Sequence, residues 1–394
     1  MRIVLDEGEV YKNLFPLTLS RPAFKLVVGA LSIIDRLRIF GKEEIEVVIR
    51  NPILRGKDLL KEEGDVVLFS NFIIDNKFLE KLISKKSKNF LIQCKDILLG
   101  YAGNLEEAKT KNEVLNVEVR IIEKPYDLIR HNKETLFEDL IYFSSVYEAV
   151  KLSNNVVGKY PVISNGVFNI EGNVMFDTRE GPIFVGDAAY IQAFSRIEGP
   201  SYIGDSTLVV TGSNIRRSYI GKHCTIGGEV TNSIILDYTN SRHQSYIGDS
   251  YIGEWVNIGA HTVFSNIKNT YGEIKYDNLK GLERTGMRKL GAFLGDHSKT
   301  SISAMIFSGL SVGFSSHVLY FLDRSIPSFT MWSGYEKEGY EIYLESAIET
   351  AKRFMESKKI KFTEGHEKLF KNIFEYTEEE RREAGIKKET FKKR

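Results

Sequence analysis

The chain has 394 residues and a formal net charge of +1. That length suits two or three compact units, and the charge balance excludes a general nucleic-acid or anionic-membrane surface. No apolar run long enough to span a bilayer and no charged-then-apolar leader is present, and Cys94 and Cys224 stand too far apart for a disulfide framework, so a cytoplasmic protein without a membrane partner is expected.

Residues 1–160 read as an α/β unit. Ile3-Val4-Leu5 is a short buried strand. A helix is predicted from Ala30 to Phe40, with Leu31, Ile34 and Leu37 apolar and Gly41 as its stop. Ile45 to Ile49, Val66 to Phe69 and Phe90 to Gln93 are further strands. Their alternation with helical and polar segments predicts a mostly parallel sheet. After the first strand come Asp6-Glu7-Gly8-Glu9-Val10-Tyr11-Lys12 and then Pro16-Leu17-Thr18-Leu19-Ser20-Arg21-Pro22. The three carboxylates of the first segment would repel a triphosphate. Arg21 and Lys25 are the candidates for holding a nucleotide phosphate.

Residues 161–330 carry a six-residue beat. Val185, Ile191, Ile197, Ile203, Val209 and Ile215 keep it, and Leu294, Thr300, Ile306, Val312 and Val318 resume it. The aliphatic member is repeatedly followed by glycine, as at Ile203-Gly204 and Val312-Gly313. A period of six fits neither an α-helix nor an alternating strand, and describes a triangular coil of about 18 residues stacked at roughly 4.8 Å. The beat fails after Ile234, and two interruptions are expected to project as loops, Leu236–Ser245 and Ser265–Leu290. The first contains Arg242 and His243, the second Asn266, Arg284, Arg288 and Lys289. Residues 331–394 give two amphipathic helices, expected to cap the last coil, and a charged tail expected to be solvated.

The repeat resembles that of the hexapeptide-repeat transferases, which implies a left-handed parallel β-helix, a homotrimer and an acyl-CoA groove between neighbouring prisms. Pro16-Leu17-Thr18 resembles the opening of sugar-phosphate nucleotidyltransferases. Where that family has a Gly-rich phosphate loop and a metal-binding Asp, this chain has the acidic segment and Asn71. Arg242-His243-Gln244-Ser245-Tyr246-Ile247-Gly248-Asp249, with Asn257-Ile258-Gly259-Ala260 and Asn266, is similar to the acetyltransferase half of a bifunctional family. Its members act as glucosamine-1-phosphate N-acetyltransferase and N-acetylglucosamine-1-phosphate uridyltransferase. Phe15-Pro16-Leu17-Thr18, Gly253-Glu254-Trp255 and Gly295-Asp296-His297 extend the likeness to the form with a short, divergent nucleotidyltransferase domain. The implied fold is a nucleotidyltransferase-like α/β domain (1–160), a left-handed β-helix (161–330) and a C-terminal helical cap with its tail (331–394).

The resemblance also assigns roles. His243 is the implied general base, since an imidazole titrating near 6.5 can take a proton from a sugar amine at neutral pH. Arg242, Tyr246, Asn257 and Asn266 are implied sugar-binding residues, and Lys289, Lys299 and Ser301 implied acyl-CoA contacts. Acetyl-CoA is the implied co-substrate, with UTP or dTTP and Mg²⁺ if the first domain turns over nucleotide; no protein-bound metal is called for. The family has a phosphate-binding Lys about twelve residues before the His, where this chain has Thr231 and Asn232, leaving Arg216, Arg217 and Arg242 as replacements. Other readings stay open: an active sugar-1-phosphate nucleotidyltransferase, a trimeric scaffold that senses a sugar nucleotide, and a zinc site stacking His243 on His261.

Overall fold

A computed structural model describes residues 2–41, 44–54, 66–85, 87–111, 113–152 and 155–389. The chain separates into two compact units, Met1–Leu128 and Ile129–Arg394.

The first unit is built on β1 (Arg2–Asp6), whose Ile3, Val4 and Leu5 are buried. It pairs in parallel with β2 (Glu44–Val48) on one side and β3 (Val66–Phe69) on the other. With β4 (Phe90–Cys94), β5 (Ile97–Ala102) and β6 (Val114–Asn116) the sheet order is β2-β1-β3-β5-β4-β6. Only β5 runs against its neighbours, so the sheet is mostly parallel as expected. The sequence reading missed β5 because it follows β4 through a tight hairpin, with Lys95 in the left-handed region (φ 55°). The first helix, α1 (Ile33–Phe40), starts three residues later than predicted, since Ser32 caps it by accepting from the Asp35 N–H. Helices α2 (Asn76–Ser84) and α3 (Leu105–Lys111) complete the unit.

The second unit begins within α4 (Pro125–Val146) and continues as a parallel β-helix with three faces. Face A includes Ile183–Val185, Tyr219–Ile220 and Tyr251–Ile252; face B includes Tyr190–Ile191, Thr225–Ile226 and Asn240–Ser241; face C includes Arg196–Glu198, Glu229–Thr231 and Tyr246–Gly248. Residues on the six-residue beat fill the axis, and Val185, Ile191, Ile197, Ile203, Val209 and Ile215 are inaccessible to solvent. Thr300, the polar member, is accommodated because its hydroxyl meets that of Thr262 at 2.9 Å and accepts from the Gly259 N–H. Aspartates tie successive coils together: Asp205, Asp237 and Asp296 accept the N–H groups of Asp187, Lys222 and Glu254, each of which follows a glycine on the adjoining coil. Glycine is needed beside them, because a Cβ at Gly186 would lie 2.5 Å from both the N–H and the carboxylate of Asp205.

The first expected interruption is not one. Ile235, Ser241 and Ile247 keep the interval of six, and so do Ile252, Ile258 and Phe264. A serine on the axis hides the beat: Ser241 is fully buried, and its hydroxyl has no partner among the described residues. One shortened coil adds to the effect, with Tyr219 pairing to Ile234. Leu236–Ser245 therefore runs within a regular coil and does not project. The second interruption is a true insertion, since Tyr251 pairs with Phe293. It folds as a hairpin of Ile274–Asp277 and Leu282–Met287.

Face A is covered, and so is face B from Thr225 onward, while Tyr190 on an earlier coil of face B is exposed. On face A, Phe143 of α4 and Tyr147 just past its end lie on Phe184, and Tyr276 of the inserted hairpin lies on Phe293 and bonds Ser311. On face B, the C-terminal helices α5 (Leu344–Ser357) and α6 (Glu364–Tyr376) form a strap along the coils rather than a lid on the last one. Lys358 reaches the His223 carbonyl and Thr225 hydroxyl, Phe354 lies on Trp255, and Phe370 lies on His297 and Phe314. A stacked column of His223, Tyr238, Trp255 and His297 at the corner between faces A and B gives this strap its apolar seat. The charged tail also folds, as α7 (Glu378–Glu383), because Arg381 is buried against Glu341 at 2.7 Å. Among the described residues of this unit face C is left open, with Val263, Met305 and Phe307 exposed.

Candidate active site on the open face of the β-helix

The first unit has a cavity of about 360 Å³ beyond the end of β1, lined by Asp6, Glu7, Gly8, Arg50, Phe69 and Asn71. The acidic segment does not present three free charges to it, which corrects the repulsion expected from the sequence. Glu7 is fully buried and accepts the backbone N–H groups of Ala23, Arg50 and Asn51. Burial pushes its carboxyl up against those hydrogen bonds. Asp6 is held by both arms of Arg50, at 2.8 and 2.6 Å. Glu9 is exposed and pairs with Lys12. Arg50 was not legible as a site residue; it stands just past β2, where the β1–β2 register brings it beside Asp6. Of the expected phosphate contacts, Arg21 is buried and Lys25 exposed, and neither lines this cavity. The oxygen set does not suit Mg²⁺: Asp6 is taken by Arg50, and Asn71 offers a neutral amide oxygen, buried without a partner among the described residues.

In the second unit the strand Tyr246–Gly248 crosses face C from the B–C corner to the C–A corner. His243 precedes it at the B–C corner, exposed and without a side-chain hydrogen bond among the described residues. At the other end the Tyr246 hydroxyl and Asn266 amide converge over Gly248, where a Cβ would lie 2.6 Å from Asn266 Nδ2 and 2.7 Å from the Tyr246 oxygen. Asn266 Nδ2 donates to Asp249 at 2.5 Å and Asn232 Nδ2 donates to the second carboxylate oxygen at 2.6 Å. Burial raises the Asp249 carboxyl above the ordinary range, against these two amides. Burial raises the Tyr246 phenol as well.

The other expected residues divide between the faces. Asn257 lies on face B, where its side-chain oxygen accepts from Asn240 at 2.8 Å, so one chain does not bring it to Tyr246 and Asn266. Ser301 is at the B–C corner, two coils on from Arg242, and its hydroxyl accepts the Tyr320 N–H. Lys299 lies under the strap, donating to the His297 carbonyl at 2.9 Å with its ammonium 5.6 Å from the Phe354 ring. The zinc reading loses its stack: Asn240 pairs with Asn257 and Tyr246 with Val263, so Gln244, not His243, adjoins His261.

Lys299 yields a pH prediction. Burial without a carboxylate lowers its ammonium from the ordinary 10.5 to about 8. The unfolded chain therefore binds more protons between about 8 and 10.5, so this group's contribution to stability rises with pH across that window. At neutral pH the burial costs up to about 3 kcal/mol, less what the Phe354 contact returns. Lys299→Met should raise the melting temperature at pH 7 and remove that rise; an unchanged melting profile would refute it.

Residues 3–145 match the sugar nucleotidyl transferase family model. The chain is 38% identical over 156 residues to a bifunctional sugar-1-phosphate nucleotidylyltransferase/acetyltransferase of Sulfurisphaera tokodaii, a match covering 39% of this chain and 38% of that protein. It is 28% identical over 341 residues to the bifunctional protein GlmU of Methanocaldococcus jannaschii, covering 78% of this chain and 74% of the relative. With the Methanococcus maripaludis GlmU it shares 39% identity over 88 residues, covering 22% and 21%. The first and third matches thus take in well under two thirds of those relatives' length. With an α/β unit followed by a β-helix in the same chain, the protein is thus similar to bifunctional nucleotidylyltransferase/acetyltransferases of the GlmU type, and residues 3–145 form a sugar nucleotidyl transferase-like segment.

Proposed function

We propose that the β-helix unit transfers an acetyl group from acetyl-CoA to the amine of a hexosamine-1-phosphate. The observation that carries this reading is the strand Tyr246–Gly248 on the open face. It has an unencumbered imidazole at one end and the Tyr246–Asn266–Asp249 cluster at the other. The names of the relatives support it.

In the proposed reaction the amine nitrogen attacks the acetyl carbonyl carbon, and its proton passes to the His243 imidazole. The C–S bond then breaks and the departing sulfur takes the proton, leaving an amide and free CoA. Tyr246 and Asn266 position the sugar, and most of the rate comes from holding the amine against an already activated thioester. Asp249, bonded to both asparagine amides, fixes Asn266 rather than meeting substrate.

The reading includes a homotrimer formed through face C. Face A and the later coils of face B are covered by elements of the same unit, whereas Val263 (41% exposed), Met305 (51%) and Phe307 (50%) make the open face apolar toward its C-terminal end. A second copy laid there would bring its corner Ser301 nearer the first copy's site. A solution mass near one chain by light scattering would exclude this.

The deciding assay mixes the protein with acetyl-CoA and a panel of amino-sugar phosphates and follows free thiol. No thiol release with any of them would end the acetyltransferase reading in favour of a scaffold. In the first unit, nucleotidyl transfer is expected to be weak or absent, because the oxygen set at Asp6 and Asn71 is poor for Mg²⁺. Robust Mg²⁺-dependent pyrophosphate release from UTP or dTTP with a sugar 1-phosphate would overturn that.

A further inference from the structure

The acceptor carries a phosphate, and the reading above leaves open which cation meets it. Of the arginines that the sequence offers, Arg216 is engaged on face C, donating to Thr231 at 2.7 Å and pairing with Glu229. Arg217 is held by Glu180 at 2.9 Å. Arg242 lies toward the strap, where its charge bears on Lys358.

The insertion supplies a different group. Its two ends close on each other at the site: the Leu290 N–H donates to the Asn266 carbonyl at 3.0 Å, and the Gly291 N–H to the Asp249 carbonyl at 2.8 Å. That closure sets Lys289 one residue before the Leu290–Asn266 bond, and its charge bears on the Asp249 carboxylate. Lys289 is exposed, and among the described residues it makes no ion pair. Asp249 does not capture it, because both carboxylate oxygens are taken by Asn232 and Asn266. Its neighbour Arg288 is also exposed, and Arg217, whose charge bears on Asp249 too, is held by Glu180.

We infer that Lys289 binds the 1-phosphate of the acceptor sugar, and so determines specificity for a phosphorylated amino sugar rather than contacting acyl-CoA. This rests on the acetyltransferase reading. The insertion is then part of the acceptor site, delivering a cation from the C–A corner to a face whose own arginines are already paired. A mobile, singly attached ammonium suits a phosphate that must enter and leave with substrate and product.

The test measures initial rates of thiol release for wild type, Lys289→Ala, Lys289→Arg and Arg288→Ala, with glucosamine-1-phosphate and with unphosphorylated glucosamine. Wild-type turnover is the check on the underlying reading; if it is absent with every amino sugar, that reading and this inference fall together. Given turnover, Lys289→Ala should raise KM for glucosamine-1-phosphate roughly 10- to 100-fold, with kcat and the KM for acetyl-CoA changing less than about threefold. The advantage of glucosamine-1-phosphate over glucosamine should shrink by the same factor. Lys289→Arg should restore most of it, and Arg288→Ala should behave as wild type. A KM rise for acetyl-CoA alone, equal loss with both sugars, or no loss at all would each overturn the assignment. Matching melting temperatures for the variants exclude a folding defect as the cause.

Discussion

Replacing His243 with alanine should lower kcat for acetyl transfer by roughly 10²- to 10⁴-fold, with little change in the affinity for acetyl-CoA. The side chain is exposed at a corner and supports no neighbour through a hydrogen bond among the described residues, so its loss should leave the coil intact. What disappears is the acceptor for the amine proton. Two readouts separate this from a packing effect. The melting temperature should stay within about a degree or two of wild type, as for an exposed substitution. The KM for acetyl-CoA should be unchanged as well, since the imidazole takes the amine proton and does not hold CoA. If His243→Ala acetylates glucosamine-1-phosphate at the wild-type rate, the base is elsewhere.

Arg381→Ala should destabilise the second unit by about 3–5 kcal/mol. Arg381 is 2% exposed and each of its guanidinium nitrogens donates, to Glu341 at 2.7 Å, the Thr377 hydroxyl at 2.8 Å and the Phe374 carbonyl at 2.9 Å. It also stacks over the Phe374 ring at 4.1 Å. Truncation leaves the Glu341 carboxylate enclosed without its cation, and that uncompensated charge is the larger part of the cost. Arg381→Met together with Glu341→Leu should therefore recover most of the loss, since it removes both charges. Denaturation of the three proteins decides the matter: a double variant no more stable than Arg381→Ala would mean that the stacking over Phe374, not the ion pair, matters.

The sequence carried the coil in plain form, because one aliphatic per six residues has a single physical use. It misled where one position was atypical. Ser241 occupies an axial place, so a regular coil resembled a break and seemed to promise a loop around His243. The C-terminal tail misled for a related reason: its charge pattern reads as solvated, and nothing local says that Arg381 will meet Glu341 forty positions away. In the first unit, Glu7 looked like a charge facing a ligand. Its true partners are N–H groups of Ala23, Arg50 and Asn51, contacts fixed only once the sheet has formed. At the site, sequence order placed Asn257 with Tyr246 and Asn266, but the coil's corners separate them onto faces B and C. Lys289 was legible as a basic residue in an insertion; its place depends on where the insertion's ends close.

The strap also changes how the β-helix should come apart. In a stack of repeats each rung touches only its neighbours, so the last rungs ordinarily fray first and local opening costs little. Here a single helical pair touches rungs from Thr225 to Phe329, tying early and late coils to one another. Amide hydrogen exchange should then report one protection level along face B in place of a gradient toward the C-terminus. A chain ending near residue 341 should regain the gradient while keeping its early rungs protected.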